Sequence, residues 1–117
     1  MHNIKHITPD FAVSPQITAA QLAQLKAAGF TTVICNRPDH EDAGQPTFAQ
    51  IRAAAEAAGL KAHHIPITPG QASKDDVAAF DTAVTSAHGK VLAYCRSGGR
   101  AQSLFDEIGR ASCRERV

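Results

Sequence analysis

Val91-Leu92-Ala93-Tyr94-Cys95-Arg96-Ser97-Gly98-Gly99-Arg100 is the stretch on which the fold turns. Its first four residues read as a short apolar strand. The strand runs directly into a Cys-x-x-Gly-x-Arg loop, and a helix start follows near Arg100 or Ala101. Small residues let backbone N–H groups turn inward, and a helix N-terminus adds positive potential, so the loop forms a cradle for an anion. Such surroundings favour the thiolate, the nucleophilic form of cysteine. Cys95 is therefore the candidate nucleophile. Arg100 is its anion-holding partner, and Arg96, Ser97, Gly98 and Gly99 line the cradle.

The rest of the chain repeats a strand and helix rhythm around this stretch. Ala27-Ala28-Gly29-Phe30 recurs as Ala57-Ala58-Gly59-Leu60, and Gly89 falls at the same interval again. Each glycine closes a helical stretch as a C′ residue would. Thr18-x-x-Gln21 and Thr47-x-x-Gln50 fit capping boxes, and Ser73 ahead of Asp75 and Asp76 marks a third helix start. The apolar spacing predicts helices over Ala19–Ala28, Phe48–Ala58 and Lys74–His88. Strands are expected at Phe11–Ser14, Thr31–Cys35, Ala62–Ile67 and Lys90–Tyr94, with a small one at Ile4–Ile7. The fold class is α/β, with a mostly parallel central sheet and helices on both faces. Three loops then share the side where such proteins bind ligands: Asn36–Gly44, Thr68–Ala72 and Cys95–Arg100. Within Asn36–Gly44, Arg37 and Asp39 are second-loop candidates. Arg37 reads equally well as a solvated surface charge, and Asp39 as a turn former after Pro38.

Composition narrows the function classes. The chain has 117 residues, which suits one domain over residues 1–108. The remainder, 109–117, reads as an irregular tail, or as foreign sequence joined near Asp106 or Glu107. A net charge of +1 gives no reason to expect nucleic acid or a membrane surface as partner. No apolar run has the length of a signal peptide or a membrane span, so the cytoplasm is the expected location. Three cysteines without paired spacing argue against a disulfide framework or a zinc site. Cys35 reads as a small core hydrophobe. His63 and His64 are strand neighbours and point to opposite faces, so no metal and no organic cofactor is expected.

The loop Cys95–Arg100 resembles the active-site loop of rhodanese-type sulfurtransferases, and its wider context resembles the dual-specificity group of cysteine-dependent phosphatases. Phe11–Ile17, Asn36–Asp39, Ile65–Gly70 and Val91–Arg100, taken in order, are most similar to one bacterial family. That family is the phosphatase-like domain of the beta-lactamase-hydrolase-like proteins, which occurs alone or fused to a metallo-hydrolase domain. The resemblance implies a cysteine-phosphatase-like three-layer fold and a cysteine nucleophile. Its members carry both phosphatase and sulfurtransferase labels, so the residues have to choose.

Three features favour sulfur. The phosphatase loop holds five residues between Cys and Arg, whereas four separate Cys95 from Arg100. Ala101 stands where phosphatases place a hydroxyl. The stretch Ile65–Gly70, where the resemblance puts a general acid, has no acid. Loss of a positioned acid forfeits about a hundred- to ten-thousandfold in rate for an alkoxide leaving group. The expectation from sequence is thus a sulfurtransferase working through a Cys95 persulfide, with a small anionic sulfur donor and a thiol acceptor. A metallo-hydrolase or a persulfide-oxidising enzyme is the expected protein partner. The alternatives are a phosphatase with Asp39 as acid, and a persulfide carrier or anion-binding module.

Overall fold

The β-branched run Phe30-Thr31-Thr32-Val33-Ile34-Cys35 forms the longest strand of the sheet, as its composition requires. The computed structural model describes residues 4–37, 45–66, 74–87 and 89–95. Within them, β1 is Lys5–Thr8, β2 Phe11–Ser14, β3 Phe30–Cys35, β4 Lys61–His64 and β5 Lys90–Tyr94. The helices are α1 Gln21–Ala27, α2 Phe48–Ala58 and α3 Lys74–Thr85. The strands lie in the order β1-β2-β5-β3-β4. β5 is parallel to both its neighbours, β4 is parallel to β3, and only β1 runs antiparallel, as a hairpin on β2. The mostly parallel sheet expected from sequence is therefore present.

The two faces bury different helices. Leu22 and Leu25 of α1 and Ile51 and Ala55 of α2 pack with Phe30, Val33, Cys35, Leu92 and Tyr94. Phe80 and Ala83 of α3 pack on the other face with Phe11, Val13, Ile34, Val91 and Ala93. This division follows from right-handed crossovers. From β2 to β3 to β4 the chain advances across the sheet, with α1 and α2 on one face. From β4 to β5 it turns back, which puts α3 on the opposite face.

Local signals set the element ends, with some corrections. Thr47 and Gln50 form the complete reciprocal box at the start of α2. The Thr18 box is only half made. The Gln21 side chain accepts from the Thr18 N–H at 2.8 Å, but α1 begins after Ala20, which offers no capping side chain. A preliminary turn, with Gln21 N–H on the Thr18 carbonyl, separates signal from helix. β4 stops at His64 rather than Ile67. Ile65 still donates to the Cys35 carbonyl at 2.8 Å, but Pro66 has no N–H to continue. Gly29 and Gly59 have φ of 98° and 88°, the left-handed values a helix exit needs. Gly89 serves differently from the expected third repeat. α3 has already ended at Thr85, and a Cβ on Gly89 would lie 2.6 Å from Thr31 Cγ2. The third glycine permits close packing against β3.

Candidate active site

Cys95 is the first residue past β5 and is completely buried. Hydrogen bonds carry the parallel ladders one step beyond the strands. Cys95 N–H donates to the Ser14 carbonyl at 3.3 Å, Asn36 N–H to the Tyr94 carbonyl at 2.8 Å, and Ile65 N–H to the Cys35 carbonyl at 2.8 Å. The backbone of Cys95 is thus fixed between the ends of β2 and β3. Strand alternation puts Cys95 on the α3 face with Val91 and Ala93. The position is the C-terminal edge of the innermost strand, on the side of the sheet where α/β proteins bind ligands.

The end of β3 is built from three buried residues. Cys35 Sγ donates to the Arg37 carbonyl at 3.2 Å. Asn36 Nδ2 donates to the Ile65 carbonyl at 3.0 Å and so ties β3 to the chain leaving β4. Asn36 Oδ1 is buried and has no hydrogen-bond partner among the described residues. Arg37 is only 3% exposed, which corrects the reading of it as a solvated charge. Its Nη1 donates to Gln16 Oε1 at 3.0 Å, and Gln16 Nε2 donates to the Ile17 carbonyl at 2.9 Å. His64 Nε2 lies 3.1 Å from the Arg37 carbonyl, which assigns the donor hydrogen to that ring nitrogen. The same ring stacks on Phe48, with centroids 4.6 Å apart and planes 12° from parallel.

The structure therefore brings Cys95 and Arg37 to the same end of the sheet. Arg96, Ser97, Gly98, Gly99, Arg100 and Asp39 lie outside the described residues, as do Ser73 and the tail. Sequence reasoning placed Asn36 at this end as the start of the Asn36–Gly44 loop, without its tie to β4, and missed Gln16 and His64. Their common signal was position, immediately after or at the end of a strand, and residue type alone gave none. His63, on the opposite face of β4, has its pKa lowered, first by burial and then by the nearby Lys61 charge. Among the described residues no three His, Cys, Asp or Glu side chains cluster as metal ligands, and no helix is long and apolar enough to cross a membrane.

Comparison with known proteins places this arrangement. The family model described as "Beta-lactamase hydrolase-like protein, phosphatase-like domain" matches residues 3–113. A beta-lactamase hydrolase-like protein of Agrobacterium fabrum is 35% identical over 99 residues, which cover 85% of this chain and 23% of the relative. The chain thus spans about a quarter of the length of the curated relatives it matches. Among solved structures, a Neisseria meningitidis protein provisionally assigned as a phosphatase superposes with a TM-score of 0.80 at 42% identity. The match covers 90% of this chain and 74% of that one. TpbA of P. aeruginosa, solved with phosphotyrosine bound, superposes with a TM-score of 0.61 at 19% identity, covering 82% of this chain and 54% of that one. The last likeness is one of fold.

Proposed function

We propose, since the chain belongs to the phosphatase-like domain family of the beta-lactamase hydrolase-like proteins, that it is a cysteine-dependent hydrolase of small phosphate esters with Cys95 as nucleophile. One observation carries the reading. A buried cysteine stands at the C-terminal end of the innermost parallel strand, its backbone pinned to β2 on one side and flanked by β3 on the other. The fold shared with cysteine phosphatases supports phosphate as the group transferred.

The reaction has two steps. The Cys95 thiolate attacks phosphorus, the S–P bond forms, and the P–O bond to the leaving group breaks. The departing oxygen takes a proton, for which Asp39 is the candidate donor. Water then attacks phosphorus, the new P–O bond forms as S–P breaks, and thiolate and inorganic phosphate are released with the water's proton passing to solvent or base. Arg100 and the amides of Arg96–Gly99 are proposed to hold the phosphoryl oxygens, and charge stabilisation of this kind is commonly the largest catalytic contribution.

A second reading is favoured by the spacing of four residues from Cys95 to Arg100 and by Ala101 after it. It is sulfur transfer. Cys95 thiolate attacks the outer sulfur of thiosulfate, the S–S bond to sulfite breaks, and sulfite leaves with the electron pair. A thiolate or cyanide then removes that sulfur from the Cys95 persulfide. A smaller cradle suits one sulfur atom, and sulfite needs no acid to depart. This chemistry would pair naturally with a metallo-hydrolase or persulfide-oxidising partner in a reducing compartment.

One preparation assayed with an aryl phosphate and with thiosulfate plus cyanide separates the readings. The hydrolase reading expects repeated release of phosphate, lost in Cys95→Ser. Thiocyanate formation without phosphate release would replace it with sulfur transfer. Neither activity, with Cys95 unmodified by either substrate, would overturn both.

A further inference from the structure

Ile65, Asn36 and Cys95 form one register row past β4, β3 and β5. Cys35 pairs with both His64 and Tyr94, and each member of the row is the next residue along its chain segment. Hydrogen bonds from Asn36 N–H to the Tyr94 carbonyl and from Ile65 N–H to the Cys35 carbonyl hold the row together. Ile34, Ala93 and Ile65 pack on the α3 face. By strand alternation Asn36 and Cys95 point there too, as side-by-side neighbours on segments about 4.8 Å apart. Cys95 is thus flanked, on the β3 side, by a polar side chain that is itself 0% exposed.

The bond that Asn36 makes fixes which way its carboxamide faces. A carbonyl only accepts, so the atom 3.0 Å from the Ile65 carbonyl oxygen is the amide nitrogen Nδ2. Ile65 lies on the β4 side of Asn36, and Cys95 on the opposite side. Oδ1 is therefore turned away from Ile65, and it is buried with no hydrogen-bond partner among the described residues. Leaving a buried carbonyl oxygen unpaired is costly, and native proteins do so rarely. Such an oxygen accepts and cannot donate. An oxyanion that carries a hydrogen gains a bond from it, whereas one without a hydrogen sets lone pairs against lone pairs. The monoanions of phosphomonoesters and of inorganic phosphate keep an O–H. Sulfate and thiosulfate have none near neutral pH.

We infer that Asn36 Oδ1 is an acceptor for the reactant at Cys95 and selects oxyanions that bear a hydrogen. The favoured substrates are then phosphomonoesters bound as the monoanion. Diesters and sulfur oxyanions, which offer no O–H, are disfavoured by the same atom. The inference deepens the hydrolase reading and rests on it for Cys95 as the reacting residue.

Protection of Cys95 from iodoacetamide in the full chain, read by mass mapping, reports which anion binds. Inorganic phosphate and sulfate are compared near neutral pH at matched ionic strength. Sulfate is the fully charged dianion, so charge attraction alone would favour it. In the native chain phosphate should protect at a roughly tenfold lower concentration, the scale of one hydrogen bond. Asn36→Leu should bring the two concentrations together. Asn36→Asp, which keeps an acceptor and adds charge, should weaken both anions and widen the preference. A merely structural role would shift both anions alike and leave their ratio unmoved. Sulfate protecting as well as phosphate in the native chain, or an unchanged ratio in Asn36→Leu with cooperative unfolding intact, overturns the inference. If Asn36→Leu does not fold, loss of the preference in Asn36→Asp overturns it. Alkylation of Cys95 that neither anion slows would instead overturn the reading of Cys95 as an anion-binding nucleophile.

Discussion

Cys35 and Cys95 end neighbouring parallel strands, and both are buried, at 3% and 0% exposure. Their surroundings differ in kind. Cys35 lies in the apolar cluster under α1 and α2, and its thiol is committed to the Arg37 carbonyl. Cys95 stands on the other face with Val91 and Ala93, and is followed in the sequence by Arg96, Ser97, Gly98, Gly99 and Arg100. Burial therefore does not single out the proposed nucleophile. The residues next along the chain make the distinction. Cys35 leads into Asn36 and Arg37, which stitch strand ends together, and Cys95 into residues that can form a cradle.

The largest effect expected from this contrast is on turnover. Cys95→Ser should reduce whichever activity the paired assay finds by roughly a thousandfold or more, the scale seen when a nucleophile is removed. Cys35→Ala should leave turnover intact and cost about 1 kcal/mol of stability, measured by denaturant unfolding. Comparable losses of activity in both variants would break the contrast.

Next in size is the packing beneath Cys95. Phe80 is fully buried on the α3 face and meets Phe11 edge-on at 5.9 Å and 78°. Phe80→Ala should cost about 3–5 kcal/mol in denaturant unfolding. A cost near zero would mean that the face carrying Cys95 is not packed as α3 suggests. Asn36→Leu should cost about 1–3 kcal/mol, because it strips the Ile65 carbonyl of its donor. A stabilised variant would show that the buried, unpartnered Oδ1 outweighs that bond.

The smallest effect concerns His63. Its folded pKa is below the ordinary 6.5, from burial and then the Lys61 charge. In that window the unfolded chain binds more protons than the native one, so stability rises with pH. The contribution is fully present above 6.5 and is lost as pH falls through the folded value. His63→Gln should flatten this part of a stability profile recorded between about pH 5 and 8. A profile unchanged by the substitution would assign the slope to other groups.

Much of the scaffold was legible because short-range signals agreed. The Thr47 box and Gly59 bracket α2, and β2 and β5 are apolar runs with clear ends. Signals failed where tertiary geometry decided. Thr18 announces a helix that starts a turn later, and Gly89 is demanded by Thr31 of a distant strand. Cys95 stood out as the candidate nucleophile because the residues after it, Arg96–Arg100, carry a dense local sequence pattern. The Arg37–Gln16 bridge was not, since it joins residues 21 apart in sequence that meet only because β5 inserts between β2 and β3. Sequence also ranked sulfur transfer above ester hydrolysis, from loop length, Ala101 and the acid missing from Ile65–Gly70, whereas the family and the shared fold weigh towards the hydrolase.

The difference between the two thiols can be measured directly. The native chain is treated with limiting iodoacetamide, and the Cys35 and Cys95 peptides are quantified by mass before and after denaturation. Label should appear on Cys95 in the folded protein and on Cys35 only once the chain unfolds. Equal labelling of both in the native state, or labelling of Cys35 first, would contradict the assignment of Cys95 as the nucleophile.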